Sequence, residues 1–156
     1  MIFEKAKAED IADLVKLRID YLLEDYGDIP SDQLSVISDR LPAYFQCHLN
    51  RDLIAFVCRD GDIFVACCFL YVSEKPPNPA FPHGKIGTVL NVYTKPAYRR
   101  RGIAGKLMKA LLSEAEEMGL DFVELKATDA GYPLYRSLGF EDVPSKYHSM
   151  KYAIDA

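Results

Sequence analysis

Hydrophobic residues recur along this chain at two periods, and the switches between them predict its elements. "MIFEKA" reads as a short opening strand. From Glu9 to about Tyr26, Ile11, Leu14, Val15, Leu17, Ile19, Leu22 and Leu23 follow helical spacing and predict a first helix. The breaker "YGDIPSD" offers Ser31 or Asp32 as the N-cap of a second helix, running to about Leu49 and interrupted or offset near Pro42. "DLIAFVCRDGDIFVACCFLYVSE" holds two β-rich runs hinged at Asp60-Gly61, a hairpin signal. "KPPNPAFPHG", with four prolines in ten residues, is a loop long enough for a substrate mouth. "KIGTVLNVYTK" predicts a fourth strand stopped by Pro96. Ile103, Ala104, Leu107, Met108, Leu111, Leu112, Ala115 and Met118 then mark an amphipathic helix closed by Gly119. "LDFVELKAT" predicts a fifth strand, "YPLYRSLGF" a short helix ended by Gly139, and "KYHSMKYAI" a final strand. The order β-α-α-β-β-β-α-β-α-β predicts an α/β (α+β) fold, a mixed sheet with helices packed on it.

Size and charge narrow the classes. A chain of 156 residues suits one domain spanning 1–156, and 49% hydrophobic residues supply a sizeable core. The net charge of −4 disfavours a nucleic-acid partner, since such domains usually carry a basic face. The N-terminus lacks the apolar centre of a signal peptide, and no apolar run approaches the roughly 18 residues of a membrane span. A soluble cytoplasmic protein with no membrane partner is therefore the expectation. Cys47, Cys58, Cys67 and Cys68 form no C-x-x-C pair, and adjacent Cys67 and Cys68 would face opposite sides of a strand. They read as small buried thiols in a reducing compartment. His48, His83 and His148 lack ligand spacing, so no metal is expected.

The candidate chemistry lies in "YRRRGIAG", Tyr98 to Gly105, between the fourth strand and the amphipathic helix. A helix start presents unpaired N–H groups and about half a positive charge, a ready anion site. Gly102, Ala104 and Gly105 leave room for close approach, while Arg99, Arg100 and Arg101 add forked donors. The stretch has neither a Walker loop nor the G-x-G-x-x-G dinucleotide spacing. Taken alone it fits either a phosphate cradle or a solvated basic turn.

Arg99-Arg100-Arg101-Gly102-Ile103-Ala104 resembles the [QR]-x-x-G-x-[GA] pyrophosphate loop of the GCN5-related N-acetyltransferase family, and "LYRSLGF" resembles that family's second signature, a Tyr before a Leu-Gly-Phe turn. The two motifs cover about Leu90 to Phe140, and the element order agrees along the whole chain. The resemblance implies acetyl-CoA in a V-shaped cleft of a splayed central sheet. Its pantetheine would pair with the backbone of Val92, Tyr93 and Thr94, and its pyrophosphate would sit on Arg99, Arg100, Arg101, Gly102, Ile103, Ala104, Gly105 and Lys106. Tyr135 matches the family tyrosine near the thioester sulfur, and a phenol with pKa of about 10 can protonate a thiolate leaving group. Many members have Asn seven residues before that tyrosine; here Thr128 can still give one hydrogen bond, and Tyr132 either lines the channel or caps the helix.

The resemblance implies an N-acetyltransferase in which a primary amine of a small molecule or peptide attacks the thioester directly. The other-class alternative is a non-catalytic acyl-CoA sensor of the same fold. No carboxylate stands beside Asn91, where some members carry Glu; Asn91 can orient an amine or water but cannot act as a base. Glu124, His83, Glu24 and Asp25 remain alternatives for that role, with Asn91, Glu24 and His83 taken as substrate-orienting. Glu24, Asp25, Asp28 and Asp32 with Tyr21, Tyr26 and Tyr44 would suit a cationic acceptor. Family members often pair, so a homodimer is a further expectation.

Overall fold

The computed structural model describes residues 1–154. They fall into two compact units, one of Met1–Lys126 and one that begins at Ala127.

In the first unit, β1 (Ile2–Lys5) leads through a 3-10 turn at Ala8–Asp10 into α1 (Ile11–Tyr26) and then α2 (Ser31–His48). Pro30, one position earlier than anticipated, stands at the N-cap of α2. The helix continues across Pro42 without the expected interruption. Its ring removes the N–H that the Ser38 carbonyl would accept, and that loss alone has not ended the helix. β2 (Leu53–Asp60) and β3 (Ile63–Glu74) form the hairpin, with Asp60 paired to Ile63 across Gly61-Asp62. Gly61 has φ +62, a conformation that glycine adopts without the Cβ penalty. The proline loop leads to β4 (Lys85–Thr94), followed by α3 (Ile103–Glu117) and β5 (Val123–Glu124). Gly119, at φ +68, stops α3 as the periodicity predicts, its N–H donating to the Glu116 carbonyl.

The sheet runs β1-β2-β3-β4-β5, antiparallel except for the β4–β5 pair. Strand alternation divides its core between two faces. Leu53, Ala55 and Val57 of β2 and Cys67 and Phe69 of β3 cluster with Leu14, Leu17 and Phe45 of α1 and α2. α3 packs on β2, β3 and β4 and buries Ile103, Leu107, Met108, Leu111 and Ala115. The four cysteines are free, Cys47 exposed and the others buried. Among the described residues no helix is long and apolar enough to cross a membrane.

β5 is far shorter than "LDFVELKAT" suggested. It pairs with β4 only at Gly87↔Val123 and Thr88↔Glu124. Beyond Thr88, β4 has no strand partner on that side among the described residues, so the sheet is open where a splayed centre was expected.

The second unit contains α4 (Tyr132–Ser137), ended near Gly139 at φ +100. The final strand predicted for "KYHSMKYAI" does not form among the described residues. Met150 is 92% and Tyr152 88% exposed, so no neighbouring layer covers the apolar positions of its alternating pattern. An alternating pattern makes a strand only where a partner takes up its N–H and C=O groups.

Leu111→Ala, which removes a fully buried side chain of α3, is expected to lower unfolding free energy by about 2–5 kcal/mol. Val36→Ala, on the exposed side of α2, should change it by no more than about 0.5 kcal/mol. Urea unfolding of the two variants measures the difference.

Candidate functional site: an amide cradle and a broken strand

The cradle is built where β4 runs out. After Thr94 a 3-10 turn, Pro96–Tyr98, delivers the chain to Arg99. Arg99 is extended (φ −70), Arg100 is left-handed (φ +63), and Gly102 is left-handed again (φ +75) as the N-cap of α3. Alternation of this kind turns successive N–H groups toward a common concavity. The Arg99 N–H donates to Pro96 O at 3.3 Å, and the next backbone donation is from Lys106 to Gly102 O at 3.2 Å. Between them, the N–H groups of Arg100, Arg101, Gly102, Ile103, Ala104 and Gly105 have no protein acceptor among the described residues. A Cβ on Gly102 would meet nothing within 4 Å, so the space beside the N-cap is open.

The arginine side chains divide the work differently from the sequence expectation. Arg99 donates through Nε to the Thr94 carbonyl (2.8 Å) and through Nη2 to Glu24 (2.7 Å), and lies over the Tyr93 ring. Arg101 stacks on Tyr98, whose hydroxyl donates to Asp60 at 2.7 Å. Lys106 lies over Phe3. Only Arg100 of the three arginines has no side-chain partner among the described residues. The fork of Arg99 is thus committed to holding the end of β4 and to α1, and the donors left without a protein acceptor in this turn are chiefly main-chain amides.

Asn91 marks a break inside β4. Cys67 pairs with Tyr93 and Phe69 with Leu90, so Cys68 alone faces Asn91 and Val92. Asn91 takes φ +55, an uncommon conformation for a side-chain-bearing residue and frequent where a strand bulges. It is 3% exposed yet fully partnered. Its Oδ1 accepts from Arg18 Nη1 (3.1 Å) and its Nδ2 donates to Cys67 Sγ (3.3 Å). Burial pushes the Cys67 thiol up to about 12, so it stays protonated and is no nucleophile. Burial likewise raises Tyr93, Tyr21 and Tyr44 above the ordinary phenol value.

The other predicted residues occupy distinct places. Glu24 is held by Arg99 at the end of α1. His83 sits in the proline loop, two residues before β4 begins, its Nδ1 2.7 Å from Asp121 and its N–H also donating to that carboxylate. Asn91 lies six residues into β4, so the strand separates it from His83 by roughly 20 Å or more. Glu124 ends β5. Among the described residues no group of three or more His, Cys, Asp or Glu could hold a metal ion.

In the second unit, Tyr135 lies on α4, edge-on to Phe140 at 6.0 Å. The short approach to Gly131 is enforced, since a Cβ there would come within 2.8 Å of the Tyr135 ring. Thr128 accepts the Gly131 N–H through Oγ1 (3.1 Å), which leaves its O–H as the donor. Tyr132 donates to Asp142 at 2.7 Å, and that bond raises its phenol above the ordinary value.

Sequence reasoning missed Arg18. Within the helical pattern of α1 it reads as one more surface charge; only the fold brings it against Asn91.

Asp121 generates a pH prediction. Its side chain is 5% exposed. Burial alone would raise its pKa, but the side-chain and backbone hydrogen bonds from His83 outweigh burial and hold it below the ordinary 3.8. A depressed carboxylate adds stability that is complete above the unfolded pKa and disappears as pH falls through the folded one. The stability difference between wild type and Asp121→Asn, read by urea unfolding, should therefore be constant above about pH 5 and shrink as pH falls below 3.8.

The Acetyltransferase (GNAT) family model matches residues 13–140. No curated protein matches the sequence. A predicted acetyltransferase from Clostridium acetobutylicum, solved with acetyl-CoA, is 28% identical, with TM-score 0.83 over 96% of this chain and 95% of its own. A GCN5-related N-acetyltransferase from Ralstonia eutropha JMP134 is 28% identical, with TM-score 0.79 over 97% of each chain. A ribosomal-protein-alanine N-acetyltransferase from Brucella melitensis, 20% identical with TM-score 0.70 over 97% of this chain and all of its own, shares the fold. The family model covers most of the chain, from early α1 through the turn after α4, and the chain belongs to the acetyltransferase (GNAT) family.

Proposed function

We propose that this acetyltransferase binds acetyl-CoA along β4 and the start of α3 and transfers the acetyl group to a primary amine of a small molecule or peptide. The observation that carries the reading is the run of unpaired N–H groups from Arg100 to Gly105, beside an open Gly102. An anion placed there satisfies donors that the helix itself cannot pair. The open edge of β4 beyond Thr88 supports the coenzyme part of the reading, since among the described residues no strand pairs there with the backbone of Val92, Tyr93 and Thr94, where the pantetheine amides would lie beside the Thr94 carbonyl held by Arg99. The Clostridium acetobutylicum structure was solved with acetyl-CoA, which supports the same ligand here.

Acetyl-CoA supplies an activated acyl carbon. The chain's own residues hold it and manage protons. The N–H cradle takes the pyrophosphate charge, and Arg100 adds a cation at the rim. In the transfer, the amine nitrogen bonds to the acyl carbon, the carbon–sulfur bond breaks, and the amine proton leaves to water or a base. The thiolate sulfur takes a proton, and Tyr135 is the group proposed to give it. Its ring is fixed by Gly131 and Phe140, which suits a donor that must be oriented.

Acetyl-CoA should raise the melting temperature of the wild type. Gly102→Val should abolish that rise, and it should also lower the unliganded melting temperature because valine resists a φ of +75. Arg100→Ala should keep most of the rise. An undiminished rise in Gly102→Val means that the backbone cradle is not the binding element.

Tyr135→Phe should retain the coenzyme-dependent rise yet slow acetyl transfer by about 10²-fold or more, measured as free thiol released with a panel of amines. Unchanged turnover removes Tyr135 from the mechanism.

A further inference from the structure

Arg18 is an interior arginine whose hydrogen-bonding capacity is mostly unspent. It belongs to α1, is half-buried, and gives one hydrogen bond, Nη1 to Asn91 Oδ1 at 3.1 Å. Its guanidinium lies over the Tyr21 ring, 5.8 Å from the centroid. Among the described residues no carboxylate lies within 4.0 Å of it; the ion pairs of the first unit join Lys5–Glu114, His48–Asp52, Arg59–Glu4, His83–Asp121 and Arg99–Glu24. A guanidinium carries five N–H donors in a planar fork matched to a carboxylate, so most of the fork has no protein acceptor. Arg99, by contrast, gives two hydrogen bonds, to Thr94 and Glu24, and its charge is ion-paired.

The surroundings of Arg18 fit a ligand. Its charge acts on Tyr21 of α1, Tyr44 of α2 and Cys67 of β3, so these elements and β4 converge around it. Of the carboxylates that act near this bulge, Glu24 is already paired with Arg99, while Asp20 acts together with Arg18 on Cys67. Asn91 is the residue at which β4 breaks, beside the backbone proposed to hold the pantetheine. Among the described residues one cation and one carboxylate, Arg18 and Asp20, are thus left without an ion-pair partner near the same bulge, a complement to a zwitterion.

We propose that the acceptor is a small amine carrying a carboxylate, of the free amino acid class, and that Arg18 is the specificity-determining residue that receives this carboxylate. Asp20, two residues from Arg18 on the same helix, is the carboxylate left to attract the ammonium. The inference rests on the reading that acetyl-CoA binds along β4. It replaces a purely cationic acceptor with one whose negative group is required.

The test compares the twenty amino acids with their carboxamides and with the corresponding decarboxylated amines, as acceptors of acetyl from acetyl-CoA. The wild type should favour the carboxylate form of its best acceptor by about 10–100-fold in kcat/KM, the range for a charge-assisted pair at a partly buried site. Arg18→Gln should reduce that preference to about twofold or less, chiefly through KM, and Arg18→Lys should restore part of it. Both variants should keep the coenzyme-dependent rise in melting temperature, which shows that the fold and the cradle survive. Equal use of carboxamides, or a preference that survives in Arg18→Gln, overturns the proposal. Silence toward every carboxylate-bearing amine while acetyl-CoA still raises the melting temperature overturns it as well, and leaves the coenzyme reading standing. Absence of the coenzyme rise instead defeats the coenzyme reading. The Arg18 site is then read from ligand-observed NMR of the amino acids alone, where loss of binding in Arg18→Gln supports it and no binding to wild type overturns it.

Discussion

A strand in the middle of a sheet must have its backbone polar groups paired on both edges, and β4 obeys this rule only at its beginning. Gly87 shows how strictly the paired part is packed: a Cβ there would come within 2.7 Å of Leu70 Cδ1 and 3.0 Å of Leu120 Cδ1. That closeness lets β5 meet β4 at Gly87 and Thr88, and the pairing goes no further. From Val89 onward the strand keeps β3 on one side and exposes main-chain groups on the other. The bulge at Asn91, the turn through Pro96 and the left-handed N-cap at Gly102 follow in one continuous stretch of backbone. Unpaired amides therefore accumulate along one path rather than being scattered over the surface.

The two faces of the sheet serve this path in different ways. α3 is anchored by a wholly apolar stripe, so its first turn is held rigidly with its amides directed outward. α1 packs on the opposite face and brings polar groups to the bulge, with Arg18 at Asn91 and Glu24 at Arg99. Of the two, the exposed Arg99–Glu24 pair adds little stability. Their effect is geometric, because they tie the first helix to the point where β4 changes direction.

Much of this was legible in the sequence because local rules agree with the fold. Gly61 turns a hairpin, Gly119 closes a helix and the stripe from Ile103 to Ala115 has one period, so no distant contact is needed to decide them. The helix start and the small residues beside the arginine run could be read as a cradle from the sequence, but where the arginine side chains go could not. Arg99 and Arg101 are spent on neighbours distant in sequence, Glu24 and Asp60 by way of Tyr98. The final strand was overread, since His148, Met150, Tyr152 and Ile154 alternate as a strand would but find nothing to pair with. Arg18 was invisible for the opposite reason. Its partner Asn91 is 73 residues away, and a helix pattern records which face a residue occupies but not what meets it.

The commitment of Arg99 to protein acceptors has a consequence for ionic strength. Charges on flexible side chains attract an anion over a distance comparable to the Debye length, about 8–10 Å in ordinary buffers, and salt weakens that attraction. Amide dipoles at a helix start act within hydrogen-bond reach, where mobile ions cannot intervene. On the proposed reading, a cradle made chiefly of N–H groups would select its anion by fit at contact and draw it in only weakly from afar. Among the three arginines, the long-range part falls to Arg100 and to Arg101, whose contact with the Tyr98 ring leaves its charge unneutralised.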